Sequence, residues 1–186
     1  MKKEISTLTE GQALALRQST WGSAQERDRI MLTFLLHTGL KINEFIHLAI
    51  GDVFTGKRVR MNLIIPAVQG KPPRKIPLDR EAREAVAMFL DYHRSQGYPL
   101  NPDDPLVVSR QRNKKDGSYR ITARQVQRIV KTLRDDAALG FKTTPQTLRH
   151  TYARAILGQG GDLETLRKLL GHRSIKTTRG LYGIPT

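Results

Sequence analysis

Apolar residues recur at three- and four-residue intervals through most of the chain, and that spacing predicts helices. The first is expected over Thr9 to Gln18. A second follows Ser23, which has capping-box spacing to Glu26, and contains IMLTFLL, apolar nearly all round. Such a helix belongs at the centre of a core, and Gly39 supplies its stop. A short helix over Lys41 to Leu48 comes next. Between Phe54 and Leu78 the pattern changes: RVRMNLIIP and RKIPL read as short strands separated by QGKPP, whose glycine and prolines suit a turn. A small antiparallel sheet is the expected result.

Asp79 is placed to cap a helix whose Val86, Phe89, Leu90 and His93 share one face before Gly97 ends it, and YPLNPDDP is then a loop. SRQRNKKDGSYR is polar and turn-rich, which suits a hairpin or exposed loop. From Thr122, spaced as a capping box with Gln125, a helix turns Val126, Ile129, Val130 and Leu133 inward. The same helix turns Arg124, Arg128, Lys131 and Arg134 largely outward. Thr144 followed by Pro145 opens another helix, with Leu148, Tyr152, Ala155 and Ile156 inward. A helix over Leu163 to Leu170 stops at Gly171, and a last one from about Ser174 carries Tyr182 near its end. The expected class is mainly α with a small antiparallel β-sheet, an α+β fold forming one domain over residues 1–186.

Charge changes the picture from a generic helical domain to one with a polyanionic partner. The 32 Lys+Arg against 17 Asp+Glu give a formal charge of +15, a field that attracts nucleic acid. From Val107 to Arg134 there are nine basic residues and one acidic residue, Asp116. Candidate contacts to double-stranded DNA are Arg110, Arg112, Lys114, Lys115, Arg120, Arg124, Arg128 and Lys131. With no cysteine, there is no disulfide, thiolate nucleophile or cysteine-based zinc site, and the five scattered histidines suggest neither metal nor cofactor. No apolar run approaches the ~20 residues that span a bilayer, and MKKEISTLTEG does not continue as a signal peptide, so a cytoplasmic, nucleoid-associated location without membrane partners is expected.

Four segments, in order, carry a resemblance. HTGLKINEFIHL, VQGKPPRKIPL, TPQTLRHTYA and LLGHRSIKTTRGLYG resemble the first arginine box, the β-hairpin lysine segment, the second arginine box and the nucleophile box of the tyrosine recombinases, or phage-type integrases. The resemblance extends from about residue 8 to the C-terminus. It implies that a tyrosine hydroxyl breaks one DNA strand, forms a 3′-phosphotyrosine link and frees a 5′-hydroxyl, without a metal. Charge developing on the phosphate then has to be met by guanidinium forks and imidazole donors, while a separate acid protonates the leaving oxygen. On this resemblance Tyr182 is the nucleophile, Arg149 and His172 hold the phosphate, and Lys71 is the acid.

Two positions depart from the family pattern. Lys41 stands where the first arginine is expected and keeps the charge without the planar fork. Gln146 stands where the second box usually opens with histidine, and an amide does not shuttle protons. Arg173 or Arg179 is a candidate replacement for the missing fork. The segment from LGH to Tyr182 is also one residue longer than usual, which a bulge or shifted helix start at Gly180 would absorb. The resemblance further implies self-association on DNA. A DNA-clamping N-terminal domain is read as absent, leaving either a complete short protein or an excised domain. The rival function is that of a DNA-binding relative that has lost cleavage and acts as a regulator or accessory factor.

Overall fold

In a computed structural model, the structure describes residues 5–19, 23–67, 72–112 and 117–183, apart from the side chains of residues 23–25. Lys71, Lys114, Lys115, part of the QGKPP turn and the Ser23 cap therefore lie outside the described residues. The main core is organised by α2 (Ser23–Thr38), whose Ile30, Met31, Leu32, Phe34 and Leu35 are all buried. It packs against α1 (Glu10–Gln18), α5 (Arg80–Ser95) and α7 (Pro145–Gly158), which explains why IMLTFLL has no polar face. Phe34 lies 6.1 Å from the Phe45 ring and 6.2 Å from Phe89, joining α2 to α3 (Ile42–Ile46) and α5.

The expected helix over Lys41 to Leu48 is divided: α3 ends at Ile46, and a second turn, α4 (Ile50–Val53), begins after Ala49. The break is satisfied locally, because Glu44 accepts from the Lys41 amide and Asp52 accepts from the Ala49 amide. Strands β1 (Asn62–Ile65) and β2 (Arg74–Pro77) pair antiparallel, with Leu63 opposite Ile76. Leu63, Ile65 and Ile76 are buried while Ile64 and Lys75 face out, the period-2 alternation of a half-buried ribbon.

Beyond α5, capped by Asp79, the chain forms an antiparallel bridge between Val108 and Arg120, which pairs the two ends of the basic segment expected to be a hairpin or exposed loop. Then α6 (Ala123–Asp136), with a Thr122–Gln125 capping box, buries Val126, Val130 and Leu133 and exposes Arg124, Arg128 and Lys131, with Arg134 half-exposed. In α7, Ala153 is buried and Ala155 is exposed, a correction to the inward face expected from periodicity. The helix turns Leu148 and Tyr152 inward, and Ala153, adjacent to Tyr152, extends that face. The last helices, α8 (Leu163–Leu170) and α9 (Ile175–Tyr182), close a smaller cluster of Tyr152, Ala153, Leu166, Leu170 and Tyr182. Continuous α-helix runs through Gly180 without a bulge, so the extra residue before Tyr182 is accommodated as helix.

Candidate active site

Arg149 is positioned by two helix ends. Residues Gly39 (φ +57°) and Gly171 (φ +63°) take left-handed conformations that stop α2 and α8. The stops leave carbonyls for the Arg149 guanidinium, which donates to Gly39 O at 2.6 Å and to Leu170 O at 2.5 Å. Gly39 is doubly constrained, since a Cβ there would lie 2.2 Å from the Tyr152 ring. Burial lowers the Arg149 pKa to about 10, with neighbouring Arg74 adding to the fall and Glu44 opposing it, so the group stays cationic at neutral pH. Two helix C-termini, each a partial negative charge, help to hold that cation away from water.

Tyr182 is buried at the end of α9, and its hydroxyl lies 2.5 Å from Nδ1 of His150. Burial raises the phenol pKa, an effect opposed by Arg149 and Arg154. His150 is held in turn by Gln146, one helical turn back on α7, whose side-chain nitrogen lies 3.1 Å from Nε2. Burial, followed by the charge of Arg149, lowers the pKa of His150 and favours the neutral ring. Sequence reasoning omitted His150, although its place directly after Arg149 and four residues after Gln146 puts it on the same helical face as Gln146.

A cleft of about 840 Å³ opens between α3, the β-ribbon and the α8–α9 junction, lined among others by Lys41, Glu44, Arg74, Lys168, His172 and Arg173. Nδ1 of His172 lies 3.0 Å from the Thr178 hydroxyl; a hydroxyl donating there leaves Nε2–H as the outward donor. Burial and the charges of Arg149, Lys41, His150 and Arg74 lower the His172 pKa to about 4. Arg74 makes a fork to Glu44 at 2.9 and 2.6 Å and donates to Leu169 O at 3.0 Å. Its side chain also lies against Gly171. Burial alone would raise the Glu44 carboxyl, but hydrogen bonds from Arg74 and the Lys41 amide outweigh it and the pKa falls. Arg74, which the sequence offers with Lys75 only as a neighbour confusable with the hairpin lysine, is thus a guanidinium built into the cleft; Arg173 and Arg179 are both exposed.

The expected residues therefore fall into two groups. Lys41 and His172 line the cleft; Gln146 and Tyr182 meet through His150, and Gln146 borders a separate depression with Lys131, Arg134 and Lys142. The buried Arg149 acts on both, lowering the pKa values of His150 and His172 and opposing the rise at Tyr182. Pro72, next in sequence to Lys71, lines the cleft. On the basic face, Arg110, Arg112, Arg124, Arg128 and Lys131 are all exposed, with Arg112 stacked 5.3 Å above the Tyr119 ring. Arg120 instead donates to the carbonyls of Ile46 and Leu48, so part of its guanidinium serves to tie the hairpin base to α3. Elsewhere, His37, Asp79 and Glu81 bring ligand-type atoms within 4.8 Å of one another; Asp79 bonds His37 and caps α5.

A guanidinium beneath a cationic cleft, two imidazoles and a buried tyrosine hydroxyl, on a largely helical fold, define a catalytic domain of the tyrosine-recombinase type. The model described as Phage integrase family matches residues 6–183, and the chain belongs to that family. It is 33% identical over 171 residues to the tyrosine recombinase XerC of Brucella suis biovar 1 (strain 1330), covering 92% of this chain and 50% of the relative. Among solved structures, XerA recombinase superposes with a TM-score of 0.76 at 26% identity, over 97% of this chain and 59% of that one. XerH site-specific recombinase bound to a palindromic difH substrate shares the fold, with a TM-score of 0.73 at 22% identity over 96% of this chain and 50% of that one. The chain spans about half the length of the curated relatives it matches. Among the described residues no helix is long and apolar enough to cross a membrane.

Proposed function

We propose that the chain breaks and rejoins double-stranded DNA at specific sites through a 3′-phosphotyrosine intermediate, in the cytoplasm at the nucleoid. The observation that carries this reading is the Tyr182 hydroxyl held against an imidazole directly beside the buried Arg149, within a chain matched to the recombinase family almost end to end. Tyr182 attacks the scissile phosphorus. Arg149 and His172 offer N–H donors to the non-bridging oxygens as negative charge builds there, and Lys41 adds a point charge from the cleft. Lys71 protonates the leaving 5′-oxygen. The basic side chains of α6 and its preceding hairpin grip the phosphate backbone. Self-association on DNA brings two strands within exchange distance.

A second reading, a DNA-binding regulator or accessory factor without cleavage, is favoured by Lys41 and Gln146, since loss of a fork or of a proton shuttle commonly costs about 10²- to 10³-fold in rate. One assay separates the two. A duplex selected for binding from a randomised pool is nicked at successive positions, so that cleavage releases a short fragment and traps the covalent adduct. The enzyme gives a protein–DNA band that Tyr182→Phe lacks. Salt-sensitive binding with no band at any nick position supports the regulator.

A further inference from the structure

We propose that His150 is the catalytic proton acceptor for the Tyr182 hydroxyl and that Gln146 is the positioning residue that holds its far nitrogen in both protonation states; this rests on the strand-transfer reading above. The phenol is buried, and burial makes its ionisation harder, so an attacking hydroxyl needs a destination for its proton inside the protein. His150 Nδ1 stands 2.5 Å from that hydroxyl, with the two rings 5.5 Å apart and inclined by 59°. The groups facing this imidazole are Arg149 and Gln146 from α7, Tyr182 from α9 and His172 from the turn after α8. Arg149 favours the neutral ring, the form able to accept a proton.

Glutamine at 146 takes no proton itself, but its amide serves either imidazole tautomer. With nitrogen toward the ring, it donates to Nε2, and Nδ1–H holds the tyrosine oxygen. After a half-turn of the amide, Oε1 accepts from Nε2–H and the Nδ1 lone pair faces the phenol proton. Attack then balances as follows. The Oη–P bond forms while the Oη proton passes to Nδ1, the P–O5′ bond breaks, and the leaving oxygen takes a proton from a separate acid. On rejoining, the 5′-hydroxyl gives its proton back to that separate acid as it attacks phosphorus, the P–O5′ bond forms, the Oη–P bond breaks and Nδ1–H returns its proton to Tyr182. Gln146 Oε1 bonds the imidazolium between the two steps.

The test uses the full chain and the nicked duplex described above. His150→Ala and the shape-conserving His150→Gln are expected to form adduct about 10²- to 10⁴-fold more slowly, with DNA binding unchanged. Added imidazole restores His150→Ala. A 5′-bridging phosphorothiolate, whose sulfur leaves without an acid, restores Lys71→Ala but neither His150 variant. Wild-type rates in both His150 variants, or their rescue by the phosphorothiolate and not by imidazole, overturn the assignment while leaving the strand-transfer reading intact. Failure of the wild-type chain to form any adduct overturns both.

Discussion

Replacing Gly39 with alanine probes the joint that holds the Arg149 guanidinium. Two costs arise together. The backbone at φ +57° is left-handed, which a Cβ disfavours by about 1–2 kcal/mol. The new Cβ would also lie 2.2 Å from Cδ1 and 2.8 Å from Cε1 of the Tyr152 ring, so either the ring or the chain has to shift. Overpacking of this kind costs about 1–3 kcal/mol, giving about 2–5 kcal/mol in total. For a chain of this length each kcal/mol lowers Tm by about 2–4 °C, so a mid-range cost of about 3 kcal/mol implies a fall of about 6–12 °C. Gly56→Ala is the matched control: it has φ +85° and no heavy atom within 4 Å of the added Cβ, and it should show the backbone cost alone. The same shift disturbs Gly39 O, the acceptor of Arg149, so adduct formation falls as well. Thermal melts of both variants by circular dichroism decide the matter. Equal Tm losses would refute the steric argument, and undiminished adduct formation in Gly39→Ala would refute the link to Arg149.

Other consequences are as direct. Lys41→Arg combined with Gln146→His should speed adduct formation by about tenfold or more, since each change restores a fork or a proton carrier; no gain places the limit elsewhere, for instance in the lengthened segment before Tyr182. His172 binds its proton less tightly when folded, at about 4 against an ordinary 6.5, so the unfolded chain takes up more protons between those values. Its contribution to stability is therefore intact above about 6.5 and declines as pH falls toward 4, and His172→Gln should flatten the Tm-against-pH curve in that window. Alanine at Arg124, Arg128 and Lys131 together should weaken binding to many duplex sequences alike. It should also reduce the slope of log affinity against log salt by about 0.9 for each phosphate that is no longer neutralised.

Periodicity was enough to find most helices because the core demands it: the IMLTFLL segment of α2 is apolar nearly all round since α1, α5 and α7 pack on this helix, and α6 shows a basic face against three buried aliphatics. The division of α3 from α4 was not legible, because side chains of Glu44 and Asp52 bond backbone amides there and no glycine or proline marks the break. Within the site, Arg149, His172 and Tyr182 stood out by resemblance. The roles of His150 and Arg74 depend on partners far along the chain: Tyr182 is 32 residues from His150, and Glu44 is 30 from Arg74. Local patterns do not encode such pairings. Ala155 misled for a simpler reason, since alanine is at home on either face of a helix.

The seating of Arg149 between the ends of α2 and α8 ties a functional group to the architecture itself. Its guanidinium answers two helix-end carbonyls, so the cation serves folding whether or not any chemistry is selected. A descendant that lost its tyrosine would still need this arginine to close its helices, and would keep the charge with it. On the proposed function, a chain silenced at its tyrosine keeps this cation in place, and its DNA binding is expected to outlast its cleavage.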